Sequence, residues 1–405
     1  MAPVATEKQQ LINPFYSPST TDDGDKQYKY AQYKPTFPAV SWEPLKEFDV
    51  VDRGLGADPE KKSLLSAASK VITLTPAIGT ELHGIDLRQL SDVQKDELSL
   101  LVAERGVVCK RCAVFASPSP DANSAQVFRN QDLNIHEQLD LGRHWGPLHK
   151  HATTPVPKEP GLEEVHVVYT DSSRRPDPAS FTKIDLWHSD VSYELQPPSA
   201  TSLKVITGPE TGGDTLWSSS YALYSSLSPG FQTYLEGLYA VHSAVAQADG
   251  SRAAGKPVRR EPIETAHPVV RVHPATGWKS VYVNPGFTRR IVGVPKAESD
   301  VILAFLFAQI AENHDFHARF KWDTNDVAIW DNRVVSHTAT FDFWPATRHA
   351  LRATPHGERP TSVADYERTT GKRARDRQLD LWERQGIQPP ESERKDSPKS
   401  LGYND

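Results

Sequence analysis

The alternation of hydrophobic and polar positions along the chain predicts many short strands and few helices. A helical period begins after Ser91 and ends at Gly106, with Gln94 at the capping-box position. Further helices are predicted at 219–227, at 229–237 and after Ser299. Short apolar runs bounded by turn residues predict strands at 71–75, 81–87, 107–108, 127–131, 164–169, 200–206, 215–217, 267–273, 280–284, 317–322, 327–330 and 348–354. This pattern favours a mainly β fold with flanking helices, a β-sandwich or jelly roll.

The two ends of the chain differ from its middle. Residues 1–68 are rich in Pro, Lys, Asp and Ser without a sustained period, so we predict an extended, partly disordered arm. Residues 69–360 predict one domain, and the charge-rich residues 361–405 predict a solvated tail with some helix. Within the domain, residues 246–265 are basic and polar, which predicts a mobile loop in which Arg259 and Arg260 are solvated or contact another subunit.

Composition narrows the class of protein. A net charge of −6 argues against a nucleic-acid partner, and no run of apolar residues is long enough for a membrane span. Two cysteines in 405 residues exclude a disulfide framework, and Cys109 and Cys112 have no second pair with which to complete a zinc site. We therefore expect a cytoplasmic enzyme that binds neither nucleic acid nor membrane.

One stretch combines two metal-binding residue types at a productive spacing. His188 and Asp190 are two residues apart in an extended segment, so their side chains project to the same side. His337, beyond a predicted strand, supplies a third candidate ligand. Two histidines and one carboxylate suit non-heme Fe(II), because that set leaves coordination positions open.

Arginines follow the third candidate ligand. A dicarboxylate co-substrate needs a metal for its keto-acid end and a cation for its distal carboxylate, which Arg binds in bidentate fashion. Arg348 and Arg352 lie on one face of a predicted strand, and Thr215 can add a hydroxyl donor. The residues therefore predict an oxidative metal site with an anion anchor.

A set of motifs occurs in order along residues 71–360. They are Leu148-His149-Lys150-His151, Trp187-His188-Ser189-Asp190, Gly212-Gly213-Asp214-Thr215-Leu216-Trp217, the stretch from Val283 to Val292, and Trp330-Asp331-Asn332-Arg333 followed by His337, Arg348 and Arg352. With these motifs the chain resembles the taurine/sulfonate and 2,4-D (TauD/TfdA-type) dioxygenases. These are Fe(II)/2-oxoglutarate oxygenases with a double-stranded β-helix (jelly-roll, cupin-like) core, which the resemblance implies here.

The resemblance implies roles for five residues around the metal. His188, Asp190 and His337 match the iron ligands, and Thr215 and Arg348 match the partners of the distal carboxylate of 2-oxoglutarate. The implied reaction consumes O2 and 2-oxoglutarate, releases succinate and CO2, and hydroxylates a small anionic substrate. An alkylsulfonate hydroxylated in this way yields an aldehyde and sulfite.

The resemblance also implies a substrate pocket. Arg352 and His151 lie where the taurine enzymes hold the sulfonate, although the neighbouring His149 is the alternative inward residue. Phe287 is similar to a pocket-lining aromatic residue. Five other histidines are interpreted as structural: His83, His166, His242, His267 and His273.

Three departures and alternatives remain open. The taurine enzymes have asparagine where this chain has Ile184, and tyrosine where it has Thr154. An amino acid or another carboxylate is therefore an alternative substrate. The reaction would then be hydroxylation or oxidative cyclisation. Residues 109–126 split a strand that is continuous in the family, which indicates a retained intron or a lineage-specific loop. A non-catalytic metal-binding jelly roll is the alternative of another class, and we expect a homo-oligomer, a dimer or a tetramer.

Overall fold

The structure is a computed structural model that describes residues 27–110, 133–173 and 182–388. The strands in these ranges are β1 (Pro35–Thr36), β2 (Lys70–Thr73), β3 (Thr80–His83), β4 (Val107–Lys110), β5 (Val156–Pro157), β6 (His166–Thr170), β7 (Ala200–Thr207), β8 (Thr215–Ser219), β9 (Tyr239–Ser243), β10 (Glu264–Pro268), β11 (Val270–Val272), β12 (Lys279–Val281), β13 (Thr288–Ile291), β14 (His317–Phe320), β15 (Val327–Asp331), β16 (Val335–Ala339) and β17 (Arg348–Ala353). The helices are α1 (Lys62–Ala67), α2 (Asp92–Arg105), α3 (Ile135–Trp145), α4 (Ser220–Ser226), α5 (Pro229–Glu236), α6 (Val245–Ala253), α7 (Lys296–Glu312), α8 (Val363–Thr370) and α9 (Arg377–Arg384).

Two sheets form the centre of the domain. The larger has the strand order β2-β3-β4-β15-β7-β17-β6, and the smaller has the order β14-β8-β16. Their pairs are antiparallel except for β3 with β4. Neighbouring strands are mostly distant along the chain, so the connections cross between the sheets as in a jelly roll. Three smaller sheets surround this centre, with the orders β10-β9-β13, β11-β12 and β1-β5.

Bulky apolar side chains fill the space between the two sheets. Trp330 of β15, Trp217 of β8 and Phe320 of β14 are at most 2% exposed and belong to one buried cluster with Val205 of β7. The ring centroids of Trp217 and Trp330 lie 5.8 Å apart. This cluster packs two strands of the larger sheet against two strands of the smaller sheet, which fixes the distance between the sheets.

Helices cover the outer face of the larger sheet. Leu98 and Leu101 of α2 pack with Ile329 of β15, and Leu141 and Trp145 of α3 join the same cluster. Strands β7 and β15 are therefore buried on both faces, which explains why their sequences are almost continuously apolar or small. The sequence did not predict α3, which fills this position.

Two of the four predicted helix starts had different outcomes. The capping box of Ser91 and Gln94 is present at the start of α2, as predicted. The start predicted at Ser299 is wrong, because α7 begins at Lys296 after Pro295. The fixed backbone angle of proline suits a helix start, and the Ser299 hydroxyl instead accepts a hydrogen bond from the Ile291 N–H at 2.9 Å.

The described part of the N-terminal arm lies against the domain. The Tyr28 hydroxyl is 2.7 Å from Thr207 Oγ1 and 2.8 Å from His349 Nδ1. Asp52 forms a buried ion pair with Arg333, and both side chains are 4% exposed. The arm predicted as extended therefore contains strand β1 and helix α1, and contacts with β7, β17 and the turn after β15 hold it in place.

The mobile basic loop predicted at 246–265 is not observed. Its first part is helix α6, and Arg259 and Arg260 beyond it are 0% and 7% exposed. Arg259 Nη2 donates to the carbonyl of His151 at 3.0 Å, and its guanidinium lies 4.7 Å from the ring centre of Trp42. Arg260 is paired with Glu194. The predicted solvation of these arginines is wrong, because tertiary contacts supply partners that the local sequence does not reveal.

The segment predicted as a charged tail contains two packed helices. Trp278 Nε1 donates to Asp380 Oδ2 of α9 at 2.8 Å, and Arg377 lies 5.6 Å from the ring centre of Trp278. Val363 and Tyr366 of α8 belong to a buried apolar cluster. Residues 363–384 are thus part of the domain surface, whereas residues 389–405 lie outside the described residues.

Most of the predicted insertion lies outside the described residues, as do the strand predicted at 127–131 and Cys112. The backbone of β4 continues through Cys109 and Lys110, which pair with Ala328 and Val327 of β15. Cys109 is buried in the cluster between the sheets. The strand therefore extends two residues past the point where the insertion was expected to begin.

No helix in the described ranges has the length and apolar character needed to cross a membrane.

We expect Asp380→Ala to lower the free energy of unfolding by about 1–3 kcal/mol, because the buried Trp278 N–H loses its acceptor. Urea denaturation measures this loss. Glu383→Ala on the same helix is the control; its side chain is exposed, so a change within about 0.5 kcal/mol is expected. Equal stabilities of the two variants would mean that α9 contributes little to the fold.

Candidate active site

Two histidines are held side by side by their own backbones. The His188 N–H donates to the His337 carbonyl at 3.0 Å, and the His337 N–H donates to the His188 carbonyl at 2.8 Å. In such an antiparallel pair both side chains project from the same face. Their ring centroids are 4.3 Å apart. Because His337 belongs to β16, which pairs with β8, the smaller sheet fixes the position of both rings.

Asp190 completes a cluster of three. Its Oδ1 lies 3.6 Å from His188 Nε2 and 3.9 Å from His337 Nε2. One ligand atom from each of the three residues can be chosen so that all lie within 4.8 Å of one another. Directly after Asp190 the backbone adopts a φ of 38° at Val191, a conformation that costs on the order of 1–3 kcal/mol for such a residue. The chain therefore turns away from the sheet immediately behind the third ligand.

Hydrogen bonds orient the cluster. Thr201 Oγ1 donates to Asp190 Oδ2 at 2.8 Å, and Asn332 links the two by accepting from the Asp190 N–H at 3.2 Å and donating to Thr201 Oγ1 at 2.8 Å. His188 Nδ1 is 2.9 Å from the Leu186 carbonyl, which assigns the ring proton to Nδ1 and leaves Nε2 for a metal. Sequence reasoning missed Thr201 and gave Asn332 no role, although Asn332 belongs to a quoted motif.

The donor set fits a divalent metal ion. Both ring nitrogens of His337 are buried without a hydrogen-bond partner among the described residues, which is costly unless a ligand uses one. Burial, followed by the nearby His188, lowers the pKa of His337 well below its usual value, so the ring is neutral as a metal ligand must be. Burial alone would raise the pKa of Asp190, but Arg352 holds it well below its usual value. Two imidazoles and one carboxylate on one face are the ligands of non-heme iron(II) sites.

Arg348 and Thr215 lie together on one side of the cluster. Arg348 is 5% exposed, and its Nε donates to the Gly213 carbonyl at 3.1 Å. Among the described residues it forms no ion pair with a carboxylate, and Nη1 and Nη2 have no hydrogen-bond partner. Burial lowers its pKa to about 10, so it remains charged at neutral pH. Thr215 Oγ1 accepts from Trp322 Nε1 at 2.9 Å, which leaves the hydroxyl proton for a ligand.

Arg352 lies against the cluster itself. Its Nη1 is 2.5 Å from Asp190 Oδ1, and its guanidinium lies 5.5 Å from the ring centre of Trp330. Its Nε is buried without a partner in the described part of the chain. A guanidinium has five N–H donors, so the contact with Asp190 leaves others for an anion.

The structure distinguishes the two neighbouring histidines before β5. His149 Nε2 is 2.9 Å from Glu194 Oε1 in a buried pair and does not border the central cavity, whereas His151 does. Phe287 meets the ring of His188 edge to face, with the centroids 6.1 Å apart. His151 and Phe287, rather than His149, thus form part of the pocket wall.

One cavity of about 210 Å³ connects these residues. All eight residues that the sequence singled out border it: His151, His188, Asp190, Thr215, Phe287, His337, Arg348 and Arg352. Thr154 also borders the cavity, whereas Ile184 does not. His166, interpreted as structural from the sequence alone, is a further lining residue. Its position was not predictable, because it follows from the pairing of β6 with β17.

Comparisons with known proteins agree with this arrangement. A family model described as taurine catabolism dioxygenase TauD, TfdA family, matches residues 122–354. A candidate alpha-ketoglutarate-dependent sulfonate dioxygenase of Schizosaccharomyces pombe is 43% identical over 336 residues, covering 83% of this chain and 81% of the relative. An alpha-ketoglutarate-dependent sulfonate dioxygenase of Saccharomyces cerevisiae is 40% identical over 345 residues, covering 82% and 79%.

A solved structure extends the likeness to the fold. The crystal structure of a taurine dioxygenase from Burkholderia xenovorans is 29% identical in sequence and superimposes with a TM-score of 0.57, covering 73% of this chain and 93% of that chain. The predicted jelly-roll core with flanking helices is thereby confirmed.

Gly286 provides a test of the geometry behind His188. A Cβ at this position would lie 2.8 Å from His188 Cβ, closer than two carbons can approach. We expect Gly286→Ala to displace His188 and to weaken the binding of a divalent metal about tenfold or more. Anaerobic calorimetric titration with Fe(II) measures this affinity.

The matched control is Gly230→Ala, where an added Cβ meets open space. It should leave metal affinity unchanged. Full metal affinity in Gly286→Ala would show that the position of His188 does not depend on this close approach.

Proposed function

The chain belongs to the TauD/TfdA family of alpha-ketoglutarate-dependent dioxygenases, and we propose that it uses iron(II), O2 and 2-oxoglutarate (alpha-ketoglutarate) to hydroxylate an alkylsulfonate. One observation carries the proposal. A cluster of two histidines and an aspartate borders a cavity that also contains two arginines, Arg348 and Arg352. A metal site that shares its cavity with two anion anchors suits an anionic co-substrate and an anionic substrate together.

His188, Asp190 and His337 would hold the iron through Nε2, Oδ1 and Nε2. A bound iron ion would supply the redox chemistry that links the reduction of O2 and the decarboxylation of 2-oxoglutarate to the oxidation of a substrate C–H bond. The chain itself holds the three ligand side chains in position. Two backbone hydrogen bonds hold the two histidines, and the hydrogen bonds of Thr201 and Asn332 hold Asp190, none of which requires a metal ion.

Arg348 and Thr215 would bind the distal carboxylate of 2-oxoglutarate. The Nη1 and Nη2 atoms of Arg348 form a fork that matches the two oxygens of a carboxylate. Gly213 allows this placement, because its φ is +68° and a side chain there would lie 3.0 Å from Arg348 Cδ. The Thr215 hydroxyl, whose oxygen already accepts from Trp322, donates its proton.

Arg352 and His151 would bind the head group of the substrate. When a metal ion also binds Asp190 and shares its negative charge, the N–H groups of Arg352 that do not contact Asp190 can turn towards an anion in the cavity. The names of the two yeast relatives support a sulfonate as that anion. Phe287 and other apolar side chains exclude water from the carbon that is oxidised.

Hydroxylation of the carbon that bears the sulfonate would account for the release of an aldehyde and sulfite. A carbon bearing both a hydroxyl and a sulfonate loses the proton of the hydroxyl and breaks its C–S bond, so that an aldehyde and sulfite are released. The two electrons of the C–S bond leave with the sulfite. Oxidation at a more distant carbon would leave the sulfonate in place, so sulfite release reports where the pocket positions the substrate.

We expect the anaerobic protein with Fe(II) and 2-oxoglutarate to show a weak visible charge-transfer band, and with O2 to release sulfite and succinate from an alkylsulfonate. Asp190→Ala should abolish the band and lower succinate formation at least about 100-fold, because one metal ligand is lost. Absorption spectroscopy and sulfite and succinate assays measure these results.

The same assays should be run with amino acids and other carboxylates as alternative substrates. Succinate formation with a carboxylate, and no sulfite from any sulfonate, would contradict the proposed substrate class. Absence of both the band and succinate would contradict the oxygenase chemistry and favour a non-catalytic metal-binding jelly roll.

We expect Arg348→Met to raise the Kd for 2-oxoglutarate about 100-fold, because two charge-assisted hydrogen bonds are lost. Arg348→Lys should have an intermediate effect, since it keeps the charge without the fork. Titration of the charge-transfer band measures both. The control is Arg319→Met, at a side chain that pairs with Asp214 and is 56% exposed. Unchanged affinity in Arg348→Met would assign the distal carboxylate to another group.

A further inference from the structure

His166 occupies a position in the pocket that the sequence did not indicate. It is the first residue of β6, and its Cα partner in β17 is Arg352. Both side chains border the central cavity. The ring of His166 lies 5.5 Å from that of His151, centroid to centroid. The wall on this side of the cavity therefore carries three nitrogen-rich side chains next to one another.

The hydrogen bonds of these three side chains are incomplete. Neither ring nitrogen of His166 has a hydrogen-bond partner among the described residues. His151 Nδ1 accepts from the Thr153 N–H at 3.2 Å, which places the ring proton of His151 on Nε2, and this nitrogen also has no partner in the described part of the chain. A fully buried histidine would normally satisfy its ring nitrogens within the protein, whereas His166 and His151 are partly exposed and border the cavity. These nitrogens are instead available to a ligand.

The charge of the group is low. Burial lowers the pKa of His166 and of His151 well below the usual histidine value, so both rings are neutral at pH 7. Each neutral imidazole still donates one N–H. Arg352 is then the one cation of the three, and part of its charge faces Asp190. The group offers three hydrogen-bond donors but at most one positive charge, which matches a monoanion.

We propose that His166 is a substrate-binding residue that, with His151 and Arg352, donates a hydrogen bond to one oxygen each of a sulfonate head group. The inference rests on the proposed function and deepens it, because it states how this site selects its substrate. A sulfonate has three terminal oxygens and a single negative charge. It can satisfy all three side chains at once.

The same arrangement disfavours two other head groups. A carboxylate has two oxygens in one plane, so a third donor must share an oxygen that another donor already binds or stay unpaired, at a cost of up to about 1–3 kcal/mol. A phosphonate has three oxygens, but at neutral pH most of it is a monoanion with a proton on one oxygen, so only two oxygens match those of a sulfonate. The dianionic fraction carries a second charge that two neutral imidazoles do not compensate. The three donors thus discriminate by the number of unprotonated oxygens and by charge.

The experiment compares 1-pentanesulfonate, hexanoate and pentylphosphonate, which share an alkyl chain and differ in the head group. Each is titrated by calorimetry into the anaerobic protein loaded with Fe(II) and 2-oxoglutarate, and sulfite release from the sulfonate is followed separately with O2. The variants are His166→Leu, His166→Gln, which keeps an N–H donor, and His136→Leu. His136 is the control, because its side chain is 65% exposed on α3.

We expect His166→Leu to weaken binding of the sulfonate about tenfold or more and that of hexanoate much less, which removes most of the discrimination. The KM for the sulfonate should rise more than kcat falls, and His166→Gln should recover part of the affinity. The charge-transfer band formed without substrate should be the same in all variants, since His166 forms no hydrogen bond or ion pair with the candidate metal ligands or with Arg348 in the described part of the chain.

Three results would overturn the inference. If the band forms and the sulfonate is turned over, but His166→Leu binds all three probes as the unaltered protein does, His166 has no part in recognition and the proposed function stands. An equal loss for the sulfonate and hexanoate would likewise exclude selection by a third donor. If the unaltered protein forms no band and releases no sulfite, the proposed function fails and this inference fails with it.

Discussion

The site depends on two backbone hydrogen bonds between His188 and His337. They bring together two residues that are far apart in the sequence and oblige their side chains to share a face. A slip of one residue in this pairing would turn one imidazole away from the other. The surroundings leave little room for such a slip, because Gly286 packs directly behind His188 and the Trp330 ring lies 4.7 Å from that of His337. The metal site is thus a consequence of sheet register.

A buried charge network supports the same region from behind. Arg333 pairs with Asp331, Asp52 and Glu358, and Asp331 is also 3.0 Å from His273 Nε2. Burial raises the pKa of Asp331, but Arg333 and His273 lower it far more, so the carboxylate stays charged. Breaking such a buried pair is costly, because it leaves a charge without a partner. The network therefore holds the turn after β15, which presents Asn332 to Asp190.

The cations at the cavity differ from those in this network. Arg333 is surrounded by carboxylates, whereas Arg348 has no carboxylate partner among the described residues and Arg352 shares Asp190 with the candidate metal. A buried guanidinium without a counter-ion is unfavourable unless a ligand supplies one. The wall that carries His151 is held by similar means, since Arg259 binds the carbonyls of His151 and Thr154 and lies over Trp42 of the N-terminal arm. The arm is thereby linked to the pocket.

The sequence by itself determined the fold class, the candidate ligands His188, Asp190 and His337, and the arginines of β17. These rest on local patterns, namely strand alternation, a two-residue spacing and motifs short enough to lie on one element. It did not reveal the burial of Arg259, the packing of α9 or the place of His166 opposite Arg352. Each of these depends on which strands and helices become neighbours, and that follows from the packing of apolar faces over the whole chain. Register and burial, set by distant partners, decided which histidines face the cavity.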